Sequence, residues 1–219
     1  MKKYAFVDVD GTIVDGNLGV SLARRMVFGS ERPTKIRNLF RFILYTLKSA
    51  HIALLYPFSF LIPVYTYLQG GTTDRYLDLV ESWPPEVAER LAREVAYSAN
   101  VPDVSIAFLR SLLGRGYHVV LLSASPSIIL KYLVQRLDLP LEYVGLDEAH
   151  PYPFTARIKA EIIQREFGDG IPAIVVGNPK RDPFWLAREQ AIVVRSPEEL
   201  RKYLPDDPVQ DAIPPRLPD

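Results

Sequence analysis

The sequence predicts an α/β fold, a doubly wound parallel sheet with an all-helical module inserted after its first strand. Three observations carry this. Short, unbroken apolar runs rich in β-formers recur along the chain, as expected of strands covered on both faces. Segments with apolar residues at helical spacing alternate with them. One long stretch, about residues 15–99, breaks the alternation and contains helical patterns only.

The first strand is expected at 4–7, where Tyr-Ala-Phe-Val leads directly into Asp8. Residues 117–122, 173–176 and 191–194 have the same character, and 141–144 is a further short strand. Helices are expected over 104–113, with Asp103 as N-cap, and over 127–137 and 158–167. Inside the insertion, helical patterns cover 18–28, 34–48, 52–68, 73–82 and 85–98. Pro84 and Pro85 suit the opening of the last, because proline is tolerated in a first turn. The division that follows is a core of 1–14 and 100–204, a helical insertion of 15–99, and a tail of 205–219. That tail holds five prolines and four aspartates in fifteen residues, too polar and too kinked to form a core of its own.

Composition excludes several classes of function. Lys plus Arg equals Asp plus Glu at 26 each, which argues against a dedicated nucleic-acid binder. The absence of cysteine removes disulfides, thiolate metal sites and a cysteine nucleophile. His51, His118 and His150 are scattered without ligand spacing. The apolar run after Met-Lys-Lys is too short for a signal peptide, so a cytoplasmic location is expected. Residues 52–68 carry no charge, but Pro57 and Pro63 interrupt them, and a single span would separate the two halves of the core across the bilayer. A buried helix pair is the expected arrangement there.

Four short elements carry chemistry. Asp8-Val9-Asp10-Gly11-Thr12 follows the first strand at once. Two carboxylates two residues apart at a strand end can share a divalent cation, or one can attack a phosphoryl group while the other moves a proton. Gly11 lets the backbone turn close to a ligand. Taken alone, this pattern also fits a calcium-type turn or a plain strand exit. Leu121 to Pro126 sets Ser123 at the end of a buried strand just before a helix, where a hydroxyl and helix amides suit an oxyanion, while Ser125 suits a helix cap equally well. Lys159 sits near a helix start, where a cation opposes the helix dipole and therefore calls for a nearby anion. Gly177 to Asp182 places Asn178 and Asp182 at another strand end, with N-cap as the rival role for Asp182.

In order, placement and spacing, these elements resemble the haloacid dehalogenase superfamily of phosphohydrolases. The nearest resemblance is to the subfamily like phosphoserine phosphatase, with a helical cap inserted after the first motif. The resemblance implies a Rossmann-like core, a Mg²⁺ cofactor and a small-molecule phosphate ester as substrate. It implies Asp8 as nucleophile and Asp10 as the acid that protonates the leaving alcohol and then activates water. Catalysis would draw on Asp8, Asp10 and Lys159; phosphate binding on Thr12, Ser123, Ala124 and Lys159; and metal binding on Asp8, Asp10, Asn178 and Asp182. The chain departs from the family pattern at Asn178, where the family usually has aspartate. Asparagine still offers a carbonyl oxygen but removes one negative charge. Lys180 and Arg181 are also unusual beside a cation site.

The insertion is uneven in charge. Residues 21–50 hold seven basic residues and one acidic, and on 34–48 Arg37, Arg41 and Lys48 share one face. A cap helix packed on its neighbours with a solvated basic face is the preferred reading. Peripheral contact with an anionic membrane surface, and hence a lipid-phosphate phosphatase or phosphotransferase, is the alternative. A non-catalytic phosphate-ligand binding protein on the same scaffold is the third reading, favoured only by Asn178.

Overall fold

The structure, a computed structural model, describes residues 2–28, 80, 83–149, 156–168, 173–178 and 190–205. The expected helices at 34–48 and 52–68, nearly all of 73–82, Asp182 and the tail after Pro205 lie outside the described residues.

Among the described residues, five strands form one parallel sheet: β1 (Lys3–Val7), β2 (Tyr117–Pro126), β3 (Glu142–Leu146), β4 (Ala173–Gly177) and β5 (Ala191–Val193), in the order β3-β2-β1-β4-β5. β1 pairs with β2 through Lys3↔Tyr117 to Val7↔Leu121, and with β4 through Tyr4↔Ala173 to Val7↔Val176. The chain runs from β1 toward β2 on one side and from β4 toward β5 on the other. The order therefore reverses between β1 and β4, which opens a crevice at their carboxyl ends.

Helices α1 (Leu18–Phe28), α2 (Pro85–Ser98), α3 (Asp103–Gly114) and α4 (Ser127–Leu137) share one apolar cluster with Ala5, Val7, Val119, Leu121, Ile174 and Val176. Alternate strand residues Phe6, Val120, Leu122 and Val175 face the other way. They pack with Ile162 and Ile163 of α5 (Ala156–Ile162), whose last turn continues as a π-helix, Ile163–Phe167. Burial on both faces is why these strands read as unbroken apolar runs. A 3₁₀ helix, Pro197–Tyr203, packs on α3.

Local differences from the sequence reading have simple causes. Asp103 is not the N-cap of α3: Pro102 holds that place, and Asp103 is the first helical residue, where its charge still complements the dipole. β3 begins one residue later and ends two residues later than expected. β2 extends through Ser123 to Pro126, with a register irregularity between Leu122 and Pro126.

The two ends of the 15–99 segment meet. Asp15 N donates to Asn100 O at 2.9 Å, and Asn100 Nδ2 donates to Asp15 Oδ2 at 3.3 Å. α2 buries Ala88, Leu91, Ala92, Val95 and Ala96, a stripe at helical spacing, against α1 and α4. Arg136 of α4 donates to Ala96 O and Ala99 O, satisfying carbonyls at the end of α2. No helix among the described residues is long and apolar enough to cross a membrane.

Candidate active site

Period-two alternation along β1 places Asp8 on the face shared with Phe6. Helical spacing places Lys159 above Ile162 and Ile163, three and four residues on, and those two pack on Phe6's face. The two patterns converge: Lys159 Nζ lies 2.6 Å from Asp8 Oδ1, with 3% and 5% of the two side chains exposed. Asp8 Oδ2 accepts from Thr12 Oγ1 at 2.8 Å. Asp8 N donates to Val176 O at 2.9 Å, which carries the β1–β4 ladder one residue past the strand.

Past Asp8 the chain folds back tightly. Val9 O accepts from Thr12, Ile13 and Val14 N–H groups, and Gly11 N donates to Val14 O. Gly11 has φ +76°, a conformation that glycine adopts without strain. This turn buries Val9, Ile13 and Val14, and it aims Asp10 at the start of α1 and the end of β2.

Asp10 is held from three directions. Leu18 N donates to Oδ1 at 2.7 Å, and Ser123 Oγ and Ser125 Oγ both donate to Oδ2 at 2.8 Å. Burial pushes the Asp10 carboxyl above its ordinary range. The Leu18 amide opposes that shift, the Asp8 charge adds to it, and the two serine bonds oppose it. The remaining amides of the first turn of α1 are also used. Gly19 N donates to Ser125 Oγ at 3.0 Å, and Val20 N donates to Asn17 Oδ1 at 2.8 Å, which makes Asn17 the N-cap.

Asn178 follows β4 and is buried, and its Nδ2 donates to Arg195 O at 3.3 Å. Ala124 lies exposed between buried Ser123 and Ser125. Of the residues singled out in the sequence, Asp8 is bonded to Thr12 and Lys159, and Asp10 to Ser123. Asn178 stands at the neighbouring strand end, and Asp182 lies outside the described residues. Among the described residues no group of three or more His, Cys, Asp and Glu side chains could hold a metal.

The family model of haloacid dehalogenase-like hydrolases matches residues 5–176. The chain belongs to this family. Solved structures with a similar fold are known. One is a protein of unknown function from Bordetella pertussis Tohama I, 12% identical over 93% of this chain and 94% of that one, with a TM-score of 0.62. Another is a predicted phosphatase from Clostridium acetobutylicum, 15% identical over 92% and 90%, with a TM-score of 0.51. A phosphoserine phosphatase from T. onnurineus is 21% identical over 93% and 94%, with a TM-score of 0.49. For the first two, at these identities, the likeness is one of fold. No curated protein matches the chain.

Within this haloacid dehalogenase-like hydrolase, the match spans β1 to β4 and ends two residues before Asn178. Sequence reasoning missed two features of the site, Ser125 and the amides of Leu18 and Gly19. Ser125 had a signal: two serines at i and i+2 near a strand end share a face. The amides had none, since every residue but proline carries one.

Proposed function

We propose that this hydrolase cleaves phosphate monoesters through a phospho-aspartate on Asp8. The observation that carries the reading is the pairing of two buried carboxylates in different environments. Asp8 is ion-paired to Lys159, and Asp10 is held by neutral donors with its carboxyl pushed up. Lys159 offsets the charge of the first, whereas burial favours the protonated form of the second. A halide leaves as an anion and needs no proton, whereas the alkoxide of a phosphate ester does. A second carboxyl group that can donate one therefore favours ester hydrolysis over dehalogenation.

In the first step an Asp8 oxygen attacks phosphorus, the ester P–O bond breaks, and the leaving oxygen takes a proton from Asp10. In the second step water attacks the phosphorus of the phospho-aspartate and gives a proton to Asp10. Phosphate departs and the Asp8 carboxylate is restored. Lys159 offsets charge on Asp8 and on the transferring phosphoryl group, and Ser123 and backbone amides near Ala124 bind phosphoryl oxygens.

The donor set fits magnesium. The Asp8 carboxylate, the Asp10 main-chain carbonyl and the Asn178 side-chain oxygen are hard oxygen donors at the adjacent ends of β1 and β4, with Asp182 as a fourth candidate. When bound, the cation would neutralise charge on the phosphoryl oxygens. The 15–99 insertion is proposed as a cap over this site, a reading supported by the meeting of its ends at Asp15 and Asn100. The test is magnesium-dependent phosphate release from an aryl phosphate. Wild type should be active and Asp8→Asn inactive, and equal activity in the two would refute the mechanism.

A further inference from the structure

We infer that Ser125 is a positioning residue that holds Asp10 in place while Ser123 serves the substrate. The inference rests on the proposed phosphatase chemistry and extends it to a residue with no role so far. A serine hydroxyl has one proton to give and lone pairs to accept with. Ser125 Oγ accepts from Gly19 N at 3.0 Å, which leaves its proton directed to Asp10 Oδ2 at 2.8 Å. Ser123 Oγ accepts from Ser125 N at 3.0 Å and also donates to Asp10 Oδ2.

The two hydroxyls converge on one oxygen but differ in their surroundings. Ser125 is wedged between the first turn of α1 and Asp10, and is 2% exposed. On its other side Gly145 of β3 packs so closely that an added Cβ would lie 2.8 Å from Ser125 O. Ser125 is thus fixed by α1 in front and β3 behind. When a phosphoryl oxygen accepts the hydrogen bond of Ser123 in place of Asp10, Ser125 and the Leu18 amide remain to orient Asp10. A loosened Asp10 would deliver its proton poorly, and that loss should grow with the basicity of the leaving oxygen.

The test compares kcat/KM for 4-nitrophenyl phosphate and benzyl phosphate, two ring-bearing esters of unlike leaving groups. For the first, nitrophenolate departs with little help from an acid; for the second, the benzyl alkoxide requires a proton. In Ser125→Ala the ratio of nitrophenyl to benzyl kcat/KM should rise about tenfold or more over wild type, within the range general acid catalysis supplies. Ser125→Thr, which keeps the hydroxyl, should restore the ratio. A merely structural role would lower both substrates alike. An unchanged ratio in Ser125→Ala, or failure of the folded threonine variant to restore it, overturns the inference while leaving the phosphatase reading intact. Wild type inactive on both esters overturns the two together.

Discussion

Lys159 Nζ and Asp8 Oδ1 lie 2.6 Å apart in a nearly dry setting, so each side chain is the counterion that makes the other's burial tolerable. Removing one partner leaves an uncompensated charge. Lys159→Met should therefore lower stability by about 3–5 kcal/mol, read from the denaturant midpoint, together with a large loss of turnover. Lys159→Arg should rescue neither in full, because the planar guanidinium cannot occupy the place of a point charge. A Lys159→Met protein as stable as wild type would show that the pair does not hold the site.

Asp10 titrates in a direction that sets the pH dependence of stability. Burial raises its carboxyl, so the native state keeps this proton to higher pH than the unfolded chain does. The contribution is full below the unfolded value, about pH 4, and is lost as pH rises through the folded value. Asp10→Asn removes that loss. At neutral pH and without magnesium the variant should melt above wild type, and the gap should close as pH falls toward about 4. A gap that is constant with pH would contradict the assignment.

Gly145 is a steric test of the same corner. An alanine Cβ there would lie 2.8 Å from both Leu130 Cδ1 and Ser125 O, and 3.0 Å from Ser127 Cα. Two of those three atoms are backbone, so β3 or the Ser125–Ser127 turn must shift. Gly145→Ala should destabilise by about 1–3 kcal/mol, as overpacking does, and lower kcat. Gly114→Ala, where an added Cβ meets nothing within 4 Å, serves as the control and should do neither.

Asn178 separates metal binding from folding. Its Nδ2 donates to Arg195 O, a bond that a carboxylate cannot make. Asn178→Asp should cost about 1 kcal/mol in the metal-free protein and yet add a negative charge for a cation. The magnesium-induced rise in Tm should be larger in the variant than in wild type. An equal or smaller rise would remove residue 178 from the metal site.

Much of this site was legible in the sequence because it obeys two simple periods. Phe6 with Asp8 on a strand, and Lys159 with Ile162 and Ile163 on a helix, are faces that can be read without coordinates. What stayed hidden depends on which distant groups meet. Ser125 next to a proline and a helix start fits a cap as well as it fits a hydrogen bond to Asp10, and only the approach of α1 decides. The π-helical turn carries Phe167 edge-on to Phe6 at 5.0 Å, a long-range contact that no local pattern reports. The N-cap of α1 lies outside the apolar spacing that marks the helix: Asn17 precedes it, and its side chain binds the third helical amide.

Rapid acid quench of the enzyme turning over an isotopically labelled phosphate ester with magnesium would trap the covalent intermediate proposed on Asp8. Wild type should carry one acid-stable, hydroxylamine-sensitive phosphoryl group that maps to Asp8, and Asp8→Asn should carry none. Steady phosphate release by wild type with no label ever trapped on Asp8 would mean that water attacks the ester directly and that Asp8 is not the nucleophile.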